Sequence, residues 1–396
     1  MLEFEIWWLL AIPLFFGLGW FASRYETGQA ANAVQRDGLP DAYFRGLNFL
    51  LNEQSDKAID AFIDVVRVDP ETIELHFALG NLFRRRGETD RAIRVHQNLV
   101  ERNDLDAAQR EQALFELGQD YLKAGLLDRA EDAFQRLELT RYGLQSLQHR
   151  LEIAQMVRDW PQAIELAERL QRDLGENRSR EIAHFRCELA SQAFAGDSPK
   201  RAAEAAQQLG MAARADPRHP RPALLGGEIA LAEARPDAAI GIWQSIERTN
   251  PAWLALVAQH WLDAFTALER RDEGIATLEK VQRQHPSIDT FAALVDARAE
   301  RDGGETAVRW AEEALRASPS LLGLEKLLSL KATLLDDGER TEIELAQQLI
   351  QAQARRLSRY VCSNCGFKAT RFYWQCPGCN RWDTYAPKRS EELERG

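Results

Sequence analysis

Residues 79–96 read LGNLFRRRGETDRAIRVH, and the recurrence of that stretch along the chain decides the fold. It opens on a small residue, Gly80, and reaches an aromatic one, Phe83, a turn later. The polar run Arg86-Gly87-Glu88-Thr89-Asp90 then breaks the apolar periodicity, and Ala92 and His96 follow on one face of a second helical segment. The same intervals give Gly46, Phe49, Ala58 and Phe62 upstream, and Gly118, Tyr121, Ala130 and Phe134 downstream. They return as Gly226, Ile229, Ala238 and Ile242, as Leu262, Phe265, Gly274 and Leu278, and weakly as Val295, Arg298, Ala307 and Ala311. Pro70, Pro251, Pro286 and Pro319 close several units, because proline cannot continue a helix. Small residues at the first and third positions let two helices approach, and larger ones at the second and fourth fill the groove between them.

A period of about 34 residues with glycine, aromatic, alanine, aromatic and proline positions resembles the tetratricopeptide repeat. Residues 144–170, 182–217 and 321–355 read as degenerate copies, with Ala163 and Ala202 as small positions on their second helices. Residues 41–355 are therefore expected to form about eight or nine helix pairs, an all-α array. One pair cannot bury its apolar face alone, so the pairs are expected to stack into a superhelix. Packing accounts for almost all of these residues, Cys187 included.

Before the array stands an apolar run. Residues 6–23, IWWLLAIPLFFGLGWFAS, carry no charge, and in helical form they reach about 27 Å against a hydrocarbon thickness of roughly 30 Å. A cleaved signal peptide would start with basic residues and end in a small-x-small site, whereas this run is preceded by Glu3 and Glu5 and carries Trp20-Phe21 near its far end. Trp7, Trp8 and Trp20 suit the two interfaces of a bilayer. Residues 1–24 are read as a retained transmembrane anchor and 25–40, with Gly28, Gly38 and Pro40, as a linker. Residues 17–22 match a G-x-G-x-x-A dinucleotide fingerprint, but the motif needs a strand before it and a helix after it. Arg24 and Arg36 lie only on the C-terminal side, which places residues 24–396 in the cytoplasm.

Thiol chemistry agrees with that direction. The five cysteines are Cys187 and two close pairs, Cys362/Cys365 and Cys376/Cys379, unlike the framework of a small secreted domain. CSNCG at 362–366 and CPGC at 376–379 each form a turn that aims two thiolates at one point, and two turns make a tetrahedral S4 site. Cys362, Cys365, Cys376 and Cys379 are the expected ligands of one metal ion, which must be held by reduced thiols. Zinc is the default for such a set, and iron stays open because rubredoxin knuckles use similar spacing. Residues 356–388 form this rubredoxin-like zinc-ribbon module and 389–396 a tail. Tyr360, Phe367, Phe372, Tyr373, Trp374, Trp382 and Tyr385 crowd it, more aromatics than a metal cover needs; the surplus would make a docking face or seat the module on the array.

The charge balance, −11 over 396 residues, disfavours nucleic acid as a partner, although the module itself is locally basic. No G-x-x-x-x-G-K-[ST], H-E-x-x-H or G-x-S-x-G occurs, and the histidines do not cluster in sequence. The reading is a binding protein with no catalytic residues and no organic cofactor.

The run RYVCSNCGF at 359–367 followed by YWQCPGCNRW at 373–382 strongly resembles the C-terminus of the lipopolysaccharide assembly protein B family (LapB, also called YciM). GLNFLL at 46–51, LGNLF at 79–83 with RAIRVHQ at 91–97, and AHFRCELA at 183–190 are similar to the same family. The resemblance implies a single-pass protein of the bacterial inner membrane that regulates lipopolysaccharide biosynthesis. It implies three partners: the membrane protease FtsH, the deacetylase LpxC whose degradation is promoted, and an inner-membrane sensor that restrains this activity. It also carries metal ligation to the same four cysteines. A general scaffold for lipopolysaccharide assembly and a rubredoxin-like electron carrier are the alternatives, and homo-oligomerisation stays open.

Overall fold

The computed structural model describes residues 44–46, 48–49, 52, 54–68, 73–357 and 359–393. The expected anchor over 1–24, the linker over 25–40, Pro70 and the last three residues of the tail lie outside them. Among the described residues no helix is long and apolar enough to cross a membrane. The chain divides into two compact units, one ending at Ile153 and one beginning at Ala154.

The first unit contains α1 (Ser55–Val68), α2 (Ile73–Arg85), α3 (Thr89–Glu101), α4 (Ala107–Lys123), α5 (Leu127–Gln135) and α6 (Gly143–Met156), the boundary falling within α6. Helix α2 turns Leu75, Leu79, Leu82 and Phe83 inward, the spacing of one helical face. Helix α4 starts at a reciprocal cap: Gln109 N–H donates to Asp106 at 2.7 Å and Asp106 N–H to the Gln109 side chain at 3.2 Å. The repeat positions are contact partners. A Cβ on Gly46 would stand 2.6 Å from the Phe62 ring and one on Gly118 2.9 Å from Phe134, so these helix pairs need glycine. Gly80 meets His96 in the same way, yet His96 does more than fill space. Its Nδ1 lies 2.5 Å from Asp120, which also takes Arg84 at 2.8 Å, and His96 and Asp120 are both fully buried. A hydrogen-bonded charge network replaces the phenyl ring of the neighbouring repeats.

The second unit continues the helix pairs through α7 (Trp160–Leu174), α8 (Ser179–Ala195), α9 (Arg201–Ala215), α10 (Arg221–Ala232), α11 (Pro236–Thr249) and a 3-10 turn (Pro251–Val257). It goes on through α12 (Ala258–Ala267), α13 (Arg271–Gln284), α14 (Ile288–Asp302), α15 (Gly304–Ala317), α16 (Leu321–Ala332) and α17 (Asp337–Leu357). Its core holds Trp243 and Trp261, whose ring N–H groups donate to Leu224 O at 3.1 Å and Gly274 O at 3.2 Å. The copy read from Gly226 sits one residue later. Gly227 meets Trp243, and Ala230, Ala239 and Trp243 are buried, while Ala238 and Ile242 are only half-buried. On α9 the buried small residues are Ala205 and Ala212, while Ala202 is half-buried; Ala163 and Cys187 are buried as expected. Strands β1 (Tyr360–Val361) and β2 (Lys368–Ala369) pair antiparallel, Tyr360 opposite Ala369, and α18 (Ser390–Leu393) ends the described chain. Among the described residues these two short strands are the exception to an all-helical chain.

Candidate metal centre and its seat on the helices

The two cysteine pairs fold as copies of one turn. Cys362 N–H donates to Phe367 O at 3.0 Å and Gly366 N–H to Cys362 O at 2.9 Å; Cys376 N–H donates to Arg381 O at 2.9 Å and Asn380 N–H to Cys376 O at 2.8 Å. The fourth residue after each leading cysteine turns left-handed, Gly366 at φ 74° and Asn380 at φ 56°, conformations that glycine and asparagine tolerate best. Gly378 lies at a close approach, since a Cβ there would lie 3.1 Å from the Phe367 ring.

These turns bring the four sulfurs within 4.8 Å of one another, with Cys362 to Cys379 at 3.8 Å and Cys365 to Cys376 at 3.7 Å. A tetrahedron with metal–sulfur bonds of about 2.3 Å has edges of about 3.8 Å, so the donor set fits one tetrahedral ion. Cys362 and Cys376 are buried, Cys379 is half-buried and Cys365 exposed. Burial opposes the Cys362 thiolate, yet the Thr384 hydroxyl and the backbone N–H groups of Cys365 and Asn364 outweigh it and bring that thiol down to about 6. The Phe367 N–H helps the Cys365 thiolate, but burial and the three neighbouring sulfurs push its thiol up to about 12.

The aromatic surplus divides by task. Tyr360 and Tyr385 are buried inside the module with Phe372 against them, whereas Trp374 and Trp382 face the helices. Trp382 stacks on His184 of α8, centroids 4.5 Å apart, and its ring N–H donates to Gln155 at 3.0 Å. Trp374 stacks on Trp253 at 5.0 Å and 9°. Between the two tryptophans, 5.5 Å from each, lies the Arg221 guanidinium at the start of α10, paired with Glu188 at 2.5 Å.

Beside this cage Asp383 receives two imidazoles on one oxygen, His184 Nε2 at 3.0 Å and His219 Nε2 at 3.3 Å. Two histidines and a carboxylate at this spacing resemble a metal site, but the ring protons argue otherwise. Arg221 Nη1 donates to His184 Nδ1 at 3.1 Å and Arg221 N–H donates to His219 Nδ1 at 3.2 Å. With both Nδ1 atoms accepting, the neutral rings carry their protons on Nε2, that of His219 hydrogen-bonded to Asp383 and that of His184 beside the same oxygen without hydrogen-bond alignment, and offer a cation no lone pair there. The group is a clasp between module and helices. Burial holds His184 down to about 4, and for Asp383 the two histidines outweigh burial and keep its carboxyl well below the usual range.

The tail extends the seat. Tyr360 O–H donates to Asp289 at 2.9 Å, and Arg389 pairs with the same carboxylate at 2.8 Å. Glu391 accepts from Leu322 N–H at 3.1 Å, from Leu321 N–H at 2.5 Å and from the Ser320 hydroxyl at 3.0 Å, closing the N-terminus of α16; Glu392 accepts from Ile288 N–H at 3.1 Å at the start of α14. The sequence signalled the four cysteines but not the clasp, whose histidines are far apart in sequence. The one sign was the family-like run 183–190, which supplies His184, Phe185 and Glu188.

Residues 360–387 match the rubredoxin metal binding domain, and 45–104 and 77–145 match the tetratricopeptide repeat. The chain is 35% identical over 387 residues to lipopolysaccharide assembly protein B of Escherichia coli (strain K12), covering 96% of this chain and 97% of that one. The protein of the same name from Haemophilus influenzae is 28% identical over 397 residues, covering 97% and 98%. A solved tetratricopeptide repeat protein from Parabacteroides merdae is 13% identical, covers 73% of this chain and 97% of that one, and superposes with a TM-score of 0.27.

Proposed function

The chain belongs to the lipopolysaccharide assembly protein B family, and from that premise we propose that it is a non-catalytic adaptor regulating lipopolysaccharide assembly. Residues 1–24 hold it in the bacterial inner membrane with residues 24–396 in the cytoplasm, where the array brings the deacetylase LpxC to the membrane protease FtsH and answers to an inner-membrane sensor. Tethering raises the local concentration of both partners without new contacts. Cys362, Cys365, Cys376 and Cys379 hold one metal ion, zinc by the preference of an all-thiolate tetrahedral site.

The observation that carries the reading is the match to the relatives along nearly the whole chain, repeats and metal module together. Depleting the protein should raise LpxC and lipopolysaccharide; unchanged LpxC turnover in depleted cells would rule the adaptor out. Deleting residues 1–24 should leave a folded soluble protein that no longer acts, since the helix pairs bury their core without lipid.

A further inference from the structure

A cleft of about 480 Å³ opens where the metal module meets α10 and the 3-10 turn, a volume inside the range of roughly 300–1,000 Å³ that encloses small ligands. Leu225, Leu256 and Val257 line it from the helices, and Phe372 and Trp374 from the module. Four charged side chains also reach it, Arg221, Glu228, Arg371 and Arg389. Two of them are paired inside the protein, Arg221 with Glu188 at 2.5 Å and Arg389 with Asp289 at 2.8 Å. The other two are not. Glu228 is half-buried and has no hydrogen bond or ion pair among the described residues. Burial pushes its carboxyl up, and His260 on α12 offsets only part of that. Arg371 is exposed; its Nε donates to the Tyr373 hydroxyl at 2.6 Å, and no carboxylate among the described residues pairs with it.

The protein therefore leaves the cleft one recessed anion and one cation nearer solvent. A lone cation entering it would meet three guanidinium groups, and a lone anion would meet Glu228. A ligand with both charges fits, provided that its cation travels on an apolar stem past the leucine and aromatic walls. Lysine and arginine side chains have that build, and an acidic neighbour in the same peptide supplies the second charge. We propose that this cleft binds a protein segment carrying a lysine or arginine close to an aspartate or glutamate, the base pairing with Glu228 and the acid with Arg371. Such binding goes beyond the adaptor role, because it holds whichever protein supplies the segment.

The test uses the full chain in detergent and end-blocked, fluorescein-labelled peptides on an alanine and leucine background. The peptides carry a lysine and a glutamate a few residues apart, the lysine alone, the glutamate alone, or neither. Binding is read by fluorescence anisotropy for the parent chain, Glu228→Gln, Arg371→Gln and the double variant. The peptide with both charges should bind tightest. Replacing its lysine by glutamine should weaken binding about 10-fold, as for a partly buried charged hydrogen bond. Replacing its glutamate should weaken it about 3-fold, as for an ion pair open to solvent. Glu228→Gln should abolish the preference for lysine and keep that for glutamate, Arg371→Gln should do the reverse, and the double variant should treat all the peptides alike. Glu228→Gln should melt no lower than the parent, because the carboxylate has no internal partner to lose. A parent chain that binds none of these peptides, a preference for lysine that survives Glu228→Gln, or a lower melting point in that variant would overturn the proposal. So would free butylammonium and free glutamate competing as well as the peptide, since no protein segment would then be recognised.

Discussion

Replacing Asp383 by alanine removes the carboxylate that is hydrogen-bonded to His219 Nε2 and lies 3.0 Å from His184 Nε2. Both rings are buried, at 0% and 7% exposure, and the Arg221 donors on their Nδ1 atoms prevent either ring from shifting its proton. Each stranded donor costs about 1–3 kcal/mol. Asp383 is 23% exposed, so water recovers part of that cost, and with one hydrogen bond and one nearby dipole lost a net loss of about 1–3 kcal/mol follows, discounted for solvent screening. In a unit of this size such a loss moves a thermal midpoint by roughly 3–8 °C. The assay is thermal unfolding followed by tryptophan fluorescence, because Trp374 and Trp382 leave their stacks when the module comes off the helices. Asp383→Asn, which keeps an oxygen in place, should fall between alanine and the parent. Asp272→Ala, at an exposed ion pair, should change stability by less than about 0.5 kcal/mol. An Asp383→Ala variant that melts with the parent protein would refute the clasp and the proton assignment behind it.

The same clasp makes stability depend on pH. Burial keeps His184 neutral down to about 4, while an unfolded histidine protonates near 6.5. The unfolded chain therefore binds the extra proton between those values, and about 3 kcal/mol of stability present above pH ~6.5 is lost by pH ~4; denaturant titrations across that window should show it, and His184→Gln should flatten the slope. Glu391→Ala should cost about 1 kcal/mol, as loss of a helix cap does, with faster hydrogen exchange at the Leu321 and Leu322 amides that the carboxylate now holds.

The repeat could be read from sequence because its signal is local. A glycine and the ring it faces lie at a fixed interval within one helix pair, as Gly118 and Phe134 do. The reading slipped where locality is ambiguous. Gly226 and Gly227 are adjacent, and Ile242 and Trp243 are both apolar, so only packing reveals that Trp243 is the buried partner. The metal centre was legible for the same reason, since spacing alone aims two thiolates at one point. The seat was not. Gln155, His184, Arg221 and Asp289 meet residues of the module that lie far along the chain, and no periodicity encodes such meetings. The excess of tryptophan over what a metal cover needs hinted that something had to be met, without saying what.

The position of Arg221 has a genetic consequence. One residue donates to both imidazoles, through its side chain to His184 and through its backbone to His219, and fills the gap between Trp374 and Trp382. Substitutions at 184, 219, 221, 374, 382 and 383 should therefore share one phenotype despite their distance in sequence. Alleles at these positions should fail to relieve one another, whereas a second change that tightens the tail at Asp289 or Glu391 should restore them as a group.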